Sequence, residues 1–100
     1  LSNKYSFKLC QKYLDDIILV SEQEIYKALQ EVYYVDNIVC EGACVVGVAA
    51  LMNKKIKNLN GLTSTIITGK NIDLDLHKKI IEGKDIKMGD LTISGSSYVQ

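Results

Sequence analysis

Residues 66–73 read IITGKNID, and this stretch decides the fold class more than any other part of the chain. A short β-branched run gives way to a turn holding a hydroxyl, a glycine and an amide, and an acidic residue then begins a helix. In open α/β sheets this order places the hydroxyl, Thr68, at the carboxyl end of a strand, where such sheets bind ligands. Many strand-to-helix connections share the pattern, so a residue like Thr68, taken without other motifs, is more often a strand-end hydroxyl with no further role.

A second polar interruption, residues 41–43 (EGA), lies upstream within the apolar stretch 38–52. Residues 42–52 are apolar on every side, which predicts either a helix buried all round or a pair of strands. The small residues in this segment favour a closely packed helix, whereas its three valines favour strand. Glu41 itself can be a helix N-terminal carboxylate stabilised by the helix dipole.

The secondary-structure signals alternate between helix and strand. Residues 5–14 have helical spacing, and residues 17–20 (IILV) form a short buried strand. Residues 21–24 (SEQE) match a capping box, and apolar residues at helical spacing follow to Tyr33. Lys54 and Lys55 lie where a helix C-terminus favours cations. Residues 58–61 form a loop.

Residues 64–67 form a second buried strand. Asp73 caps a last helix that runs through Ile81 and stops at Gly83. The tail, residues 84–100, is an edge strand or loose. The order helix, strand, helix, helix, strand, helix predicts a parallel α/β sheet with right-handed crossovers. Two short strands make a poor sheet alone, so we expect other sequence to complete it.

Composition limits the function further. The 100 residues carry no net charge and are 47% hydrophobic, which indicates a globular chain and argues against nucleic-acid binding. The longest apolar stretch is too short to span a membrane. The three cysteines and the absence of a leader pattern predict a reduced, cytoplasmic protein. Cys40 and Cys44 with a single histidine do not complete a metal site, so we expect core thiols and a surface imidazole at His77.

Three motifs in order resemble the threonine and serine dehydratases, pyridoxal-phosphate enzymes of fold type II that include serine racemase and ectoine-utilisation dehydratases. The motifs are residues 15–25 (DDIILVSEQEI), residues 41–51 (EGACVVGVAAL) and residues 68–73 (TGKNID). The resemblance runs from about residue 7 to residue 75. It implies a three-layer, parallel-sheet fold, with residues 1–83 forming the C-terminal part of the cofactor-binding large domain. The chain departs from the family pattern at Cys44 and Lys70, where glycines are common.

The resemblance also implies a set of cofactor-binding residues. By analogy the Thr68 hydroxyl hydrogen-bonds the pyridine nitrogen of pyridoxal 5'-phosphate, in a turn shaped by Gly69 and Asn71. Glu41 would lie near the cofactor ring, and Gly42 would let the backbone approach closely. The Schiff-base lysine is absent. Lys8 belongs to a similar tripeptide, residues 6–8 (SFK), but it lacks the flanking glycine and Arg-Gly. It also lies just before the Glu41 motif, whereas the family lysine lies far upstream of it, so Lys8 is not catalytic.

The resulting hypothesis is a C-terminal fragment of an ammonia-lyase that eliminates water from threonine, serine or a related hydroxy amino acid. The products would be a 2-oxo acid and ammonia, and the 100 residues alone would be inactive. The expected partners are a small amino-acid substrate and further copies of the protein in a homo-oligomer. The alternative is a non-catalytic α/β interaction module that oligomerises through its apolar helix.

Overall fold

A computed structural model of the chain describes residues 8, 11–12, 18–57, 59–67, 69 and 73–99. Of the predicted helix over residues 5–14, only Lys8, Gln11 and Lys12 are among these, and all three are helical. The described elements in chain order are α1 (Glu22–Asp36), a 3-10 helix (Gly42–Val45), α2 (Val46–Met52), α3 (Leu74–Ile81), β1 (Ile86–Met88) and β2 (Leu91–Ile93).

Helix α1 begins as the sequence predicts. The Glu24 backbone N–H donates to Ser21 Oγ at 3.1 Å, and the Ser21 N–H donates to Glu24 Oε1 at 2.7 Å, which completes the capping box. The helix ends where Asn37 adopts a left-handed conformation (φ 57°). Its buried face is Tyr26, Ala28, Leu29, Gln30 and Val32. This face forms one side of the hydrophobic core.

The apolar segment 42–52 is helical, so the helix prediction is confirmed over the pair of strands. Cys44, Val45, Ala49 and Ala50 are buried, and residues of both short helices contact α1. The prediction of burial all round is wrong, because Val46 and Met52 are 37% and 40% exposed. Gly42 packs closely on α1: an added Cβ would lie 3.1 Å from Cγ2 of Ile25, so that side chain would have to shift slightly.

The last predicted helix is also confirmed. Asp73 Oδ1 accepts hydrogen bonds from the N–H groups of Asp75 and Leu76 at 3.0 and 3.2 Å and so caps α3. At its end Gly83 has φ 77°, and its N–H donates to the Ile80 carbonyl, while the Lys84 N–H donates to the Lys79 carbonyl. These two bonds are the Schellman pattern, which requires a residue that tolerates positive φ.

The tail is ordered against α1. Strands β1 and β2 pair antiparallel, with Ile86 opposite Ile93 and both buried. After β2, two glutamine side chains of α1 donate hydrogen bonds to backbone carbonyls of the tail. Gln23 donates to the Ser94 carbonyl at 2.7 Å, and Gln30 donates to the Ser96 carbonyl at 2.7 Å. Of the two predictions for the tail, the edge strand is correct for Leu91–Ile93.

The predicted parallel strands are not present in the described residues. Residues 18–20 and 64–67 lie in no strand, and the described sheet is the two-stranded antiparallel pair β1–β2. Leu19 and Ile66 are 83% and 82% exposed, so neither segment is a buried strand here. A strand requires a neighbouring backbone to complete its hydrogen bonds, and no described segment provides one for either run. The described residues therefore contain helices and strands, but the predicted parallel pairing is not formed among them.

No helix in the described ranges combines the length and apolarity needed to cross a bilayer.

Candidate functional site

Glu41 lies at the start of the 3-10 helix, with extended backbone angles (φ −81°, ψ 162°). It is the N-cap residue of this helix, the position that the dipole alternative requires, and its side chain makes no capping hydrogen bond. The side chain is half-buried. It points instead toward the segment that follows the predicted strand 64–67, since its Oε1 atom lies close to Gly69.

Gly69 has φ 80°, a conformation that residues with a Cβ rarely adopt. A Cβ added here would lie 3.2 Å from Cys44 Sγ and 3.3 Å from Glu41 Oε1. Both the backbone angle and the lack of space therefore require glycine. The structure thus brings together two motifs that are well separated in the sequence, Glu41–Gly42 and the turn at Gly69.

Two other predicted site residues, Thr68 and Asn71, lie outside the described residues. Their proposed contacts with the cofactor stay predictions. The same holds for Gly42 as a point of close cofactor approach, although its packing against Ile25 gives an independent reason for the glycine.

Cys44 is the part of this site that the sequence analysis missed. As expected, the thiol is buried, but it also joins the two motifs. Its Sγ lies 3.7 Å from Glu41 Oε1 and 3.5 Å from the Gly69 carbonyl oxygen. The spacing of three residues between Glu41 and Cys44 on a helical segment was the signal that could have predicted their contact.

A cleft of about 240 Å³ adjoins Glu41 and Gly42. Its lining is mostly apolar and comes from α1, α3 and the segment between α1 and the 3-10 helix: Leu29, Cys40, Glu41, Gly42, Asp73, Leu76, His77 and Ile80. Burial raises the pKa of the Cys40 thiol, and the neighbouring Cys44 and Glu41 raise it further. The cleft is smaller than the roughly 300–1,000 Å³ typical of complete ligand pockets, so it could form only part of such a site.

The prediction of a surface imidazole at His77 is wrong. The side chain is only 6% exposed, and its ring lies edge-on to Tyr33 with centroids 5.5 Å apart. His77 and Ile80 share the face of α3 that packs toward α1, because residues three apart lie on one side of a helix. Its Nε2 has no hydrogen-bond partner among the described residues, and burial lowers the pKa of the imidazole.

The described residues contain no group of three or more histidine, cysteine, aspartate or glutamate side chains placed to hold a metal ion. The site consists of the half-buried Glu41 carboxylate, the Cys44 thiol and the backbone of Gly69, which lies close to both. Such a set can accept hydrogen bonds and fix the backbone of the turn. The turn residue that would present a hydroxyl, Thr68, lies next to Gly69 in the sequence.

Comparison with known proteins identifies relatives by sequence. No protein-family model matches the chain, and no solved structure matches it. L-threonine ammonia-lyase of Thermotoga maritima is 36% identical over 85 residues, which is 84% of this chain and 21% of that protein. L-threonine ammonia-lyase of Geobacter sulfurreducens is 31% identical over 77 residues, covering 77% of this chain and 19% of the relative. L-threonine dehydratase catabolic TdcB of Escherichia coli K12 is 37% identical over 71 residues, or 69% of this chain and 22% of the relative.

The chain spans about a fifth to a quarter of the length of the curated relatives it matches. The matches cover most of its own residues, and the names of these relatives agree with the family that the three motifs resemble. The chain is therefore homologous to a part of the threonine dehydratases and L-threonine ammonia-lyases.

Proposed function

We propose that the chain is the C-terminal part of the cofactor-binding domain of a pyridoxal-phosphate-dependent ammonia-lyase. Residues 1–83 would belong to that domain, with its three-layer parallel sheet, and residues 84–100 would follow as a tail. The intact enzyme would eliminate water from threonine, serine or a related hydroxy amino acid and give a 2-oxo acid and ammonia. The observation that carries the proposal is that Glu41 Oε1 and the Gly69 carbonyl oxygen both lie within 3.7 Å of Cys44 Sγ, since Glu41 and Gly69 belong to the two motifs predicted to meet at the cofactor.

The residues present fit pyridoxal phosphate at this contact. The bound cofactor would supply an electron-withdrawing ring that stabilises negative charge on the substrate α-carbon. The chain would supply a half-buried carboxylate, Glu41, beside a glycine turn that has no room for a Cβ. In the proposal the turn presents the Thr68 hydroxyl to the ring nitrogen, and Asn71 fixes the turn by bonding nearby backbone. A hydroxyl does not protonate that nitrogen as a carboxylic acid would, which suits a simple elimination.

The proposal extends to the assembly and location of the intact protein. Leu19, Leu62 and Ile66 are more than 80% exposed, and all three lie in or beside the segments predicted as strands. Exposed apolar residues in extended segments favour association with further backbone. We therefore propose that the remainder of the α/β domain covers them, and that the intact enzyme is a cytoplasmic homo-oligomer.

The decisive experiment uses the native gene product that contains these residues. We expect the purified protein to carry pyridoxal phosphate, seen by absorbance, and to release a 2-oxo acid from L-threonine or L-serine. Lys8→Ala should leave both properties unchanged, because Lys8 is the rejected candidate lysine. A protein that neither binds the cofactor nor forms a 2-oxo acid, but oligomerises, would instead support the non-catalytic interaction module.

The role of Thr68 can be tested separately in the same protein. Thr68→Ala should weaken cofactor binding by about 2- to 12-fold, since a lost neutral hydrogen bond costs about 0.5–1.5 kcal/mol. Thr68→Asp should favour a protonated ring nitrogen and change the ratio of products. Unchanged affinity and product ratio in both variants would remove Thr68 from the site.

A further inference from the structure

We infer that Cys44 is a positioning residue that fixes the turn at Gly69 against the Glu41 carboxylate. The effect on cofactor binding rests on the proposed function. The positioning itself is inferred only from contacts between described residues. Cys44 occupies a position where the resembling family often has glycine, so the contact is a feature of this chain.

The thiol is within hydrogen-bonding distance of both segments. Cys44 Sγ lies 3.5 Å from the Gly69 carbonyl oxygen and 3.7 Å from Glu41 Oε1. A thiol is a weak donor with one proton, and both neighbours are acceptors, so the proton can serve either oxygen. Each alternative leaves the sulfur between the two segments.

Cys44 is held rigidly enough to act as a reference point for the turn. It is only 8% exposed, and it lies in the 3-10 helix that packs against α1. Its backbone N–H donates to the Glu41 carbonyl at 3.0 Å. A side chain fixed by packing on a regular element can define the position of a loop that contacts it.

The backbone of Gly69 leaves space for the sulfur. Gly69 has positive φ, and the place that its Cβ would take is bounded by Cys44 Sγ at 3.2 Å and Glu41 Oε1 at 3.3 Å. Without the sulfur, the space beside Gly69 would be open on the side of Cys44. Truncating Cys44 should therefore let the turn move and let the Glu41 carboxylate change its orientation.

Cys40 provides the matched control. It is also a buried thiol, one helical turn earlier in the sequence, and it lines the cleft. Among the described contacts its sulfur makes no hydrogen bond to the turn at Gly69. Loss of the Cys40 thiol should affect packing without releasing the turn.

The experiment compares Cys44→Ala, Cys44→Ser and Cys40→Ala with the wild type in the native gene product. Amide hydrogen exchange of the peptide covering residues 66–73 is measured in cofactor-free protein. The affinity for added pyridoxal phosphate is measured by absorbance titration. We expect Cys44→Ala to speed exchange in this peptide and weaken cofactor binding, each by about 2- to 12-fold, as for one neutral hydrogen bond.

Cys44→Ser keeps a donor of similar size and should restore both quantities to within about twofold of the wild type. Cys40→Ala should lower thermal stability without speeding exchange at residues 66–73. The inference is overturned if exchange at residues 66–73 in Cys44→Ala is the same as in the wild type. It is also overturned if Cys44→Ser and Cys40→Ala both exchange as fast as Cys44→Ala. If the wild type binds no pyridoxal phosphate, the proposed function fails, while the exchange data still decide whether Cys44 holds the turn.

Discussion

Helix α1 and the segment 59–67 both carry large apolar side chains, but the two regions cover them differently. Leu29 on α1 is 5% exposed, whereas Leu62 is 97% exposed. The helix satisfies its own backbone and needs partners only for one face, which the short helices, α3 and the hairpin supply. An extended segment needs partners for its backbone as well. The helices and the β1–β2 hairpin, whose hydrogen-bond partners lie close in sequence, therefore form among the described residues, whereas the predicted strands at 17–20 and 64–67, which need more distant partners, do not.

The largest expected effect comes from the same substitution made in each region. Leu29→Ala should lower the free energy of unfolding by about 2–5 kcal/mol, because it leaves a cavity in the core. Leu62→Ala should change it by no more than about 0.5 kcal/mol, because the side chain faces water. Chemical denaturation of both variants of the chain measures the difference.

The comparison of Leu29→Ala with Leu62→Ala becomes more informative when both substitutions are made in the native gene product. If residues 62–67 pair with further strands there, Leu62→Ala should become destabilising by more than 1 kcal/mol, roughly the cost of a buried truncation. Equal, small effects in both settings would show that the segment is exposed in the intact protein too.

The next effect concerns the amides that hold the tail on α1. Gln30 is 2% exposed and donates to the carbonyls of Ile80 and Ser96 at 2.9 and 2.7 Å. Gln30→Met keeps the volume but leaves both carbonyls without this donor, so it should cost about 1–3 kcal/mol. Gln23→Met removes only the exposed bond to Ser94 and should cost less. Equal losses in the two variants would show that burial does not determine the strength of these bonds.

A smaller effect is expected at the start of α1. Ser21→Ala removes one half of the capping box and should cost about 1 kcal/mol. The exposed Ser97 offers a matched control, since Ser97→Ala removes no described side-chain hydrogen bond. Helix content by circular dichroism and the midpoint of thermal unfolding measure the change. A Ser21→Ala variant as stable as Ser97→Ala would contradict the energetic role of the cap.

The smallest expected effect is a pH dependence from His77. Burial lowers the pKa of the folded-state imidazole, so the unfolded chain binds a proton more readily as the pH falls through about 6.5. Stability should therefore decrease below that pH and level off once the pH passes the folded-state pKa. The difference in unfolding free energy between wild type and His77→Leu, followed from about pH 8 to about pH 5, isolates this effect. A difference that is constant with pH would show that His77 does not titrate on unfolding.

The accuracy of the sequence predictions follows the range of the interactions involved. The capping box at Ser21 and Glu24 and the cap at Asp73 were predictable because their partners lie within three residues. The burial of His77 was not predictable from its neighbours, because it depends on Tyr33 and the cleft beside α1. The predicted strands have β-branched, apolar sequence, but a strand forms only where another backbone lies beside it.

The candidate site divides in the same way. The motifs containing Glu41, Gly42 and Gly69 could be identified in the sequence, together with the family they resemble. The role of Cys44 could not, because its contact with Gly69 joins residues 25 positions apart. Lys55 is a similar case, since it ion-pairs with Glu24 at 2.7 Å and also donates to the Leu19 carbonyl.

The helices, their caps and the motifs could be identified from local sequence, because hydrogen bonds within a few residues and the period of apolar side chains specify them. Which distant residues contact each other could be seen only in the folded chain. In the folded chain the buried face of α3 packs toward α1, and Gln23 and Gln30 hydrogen-bond to the tail. Cys44 lies between Glu41 and Gly69. These contacts depend on the relative placement of distant elements, which packing of the whole chain sets and local sequence does not encode.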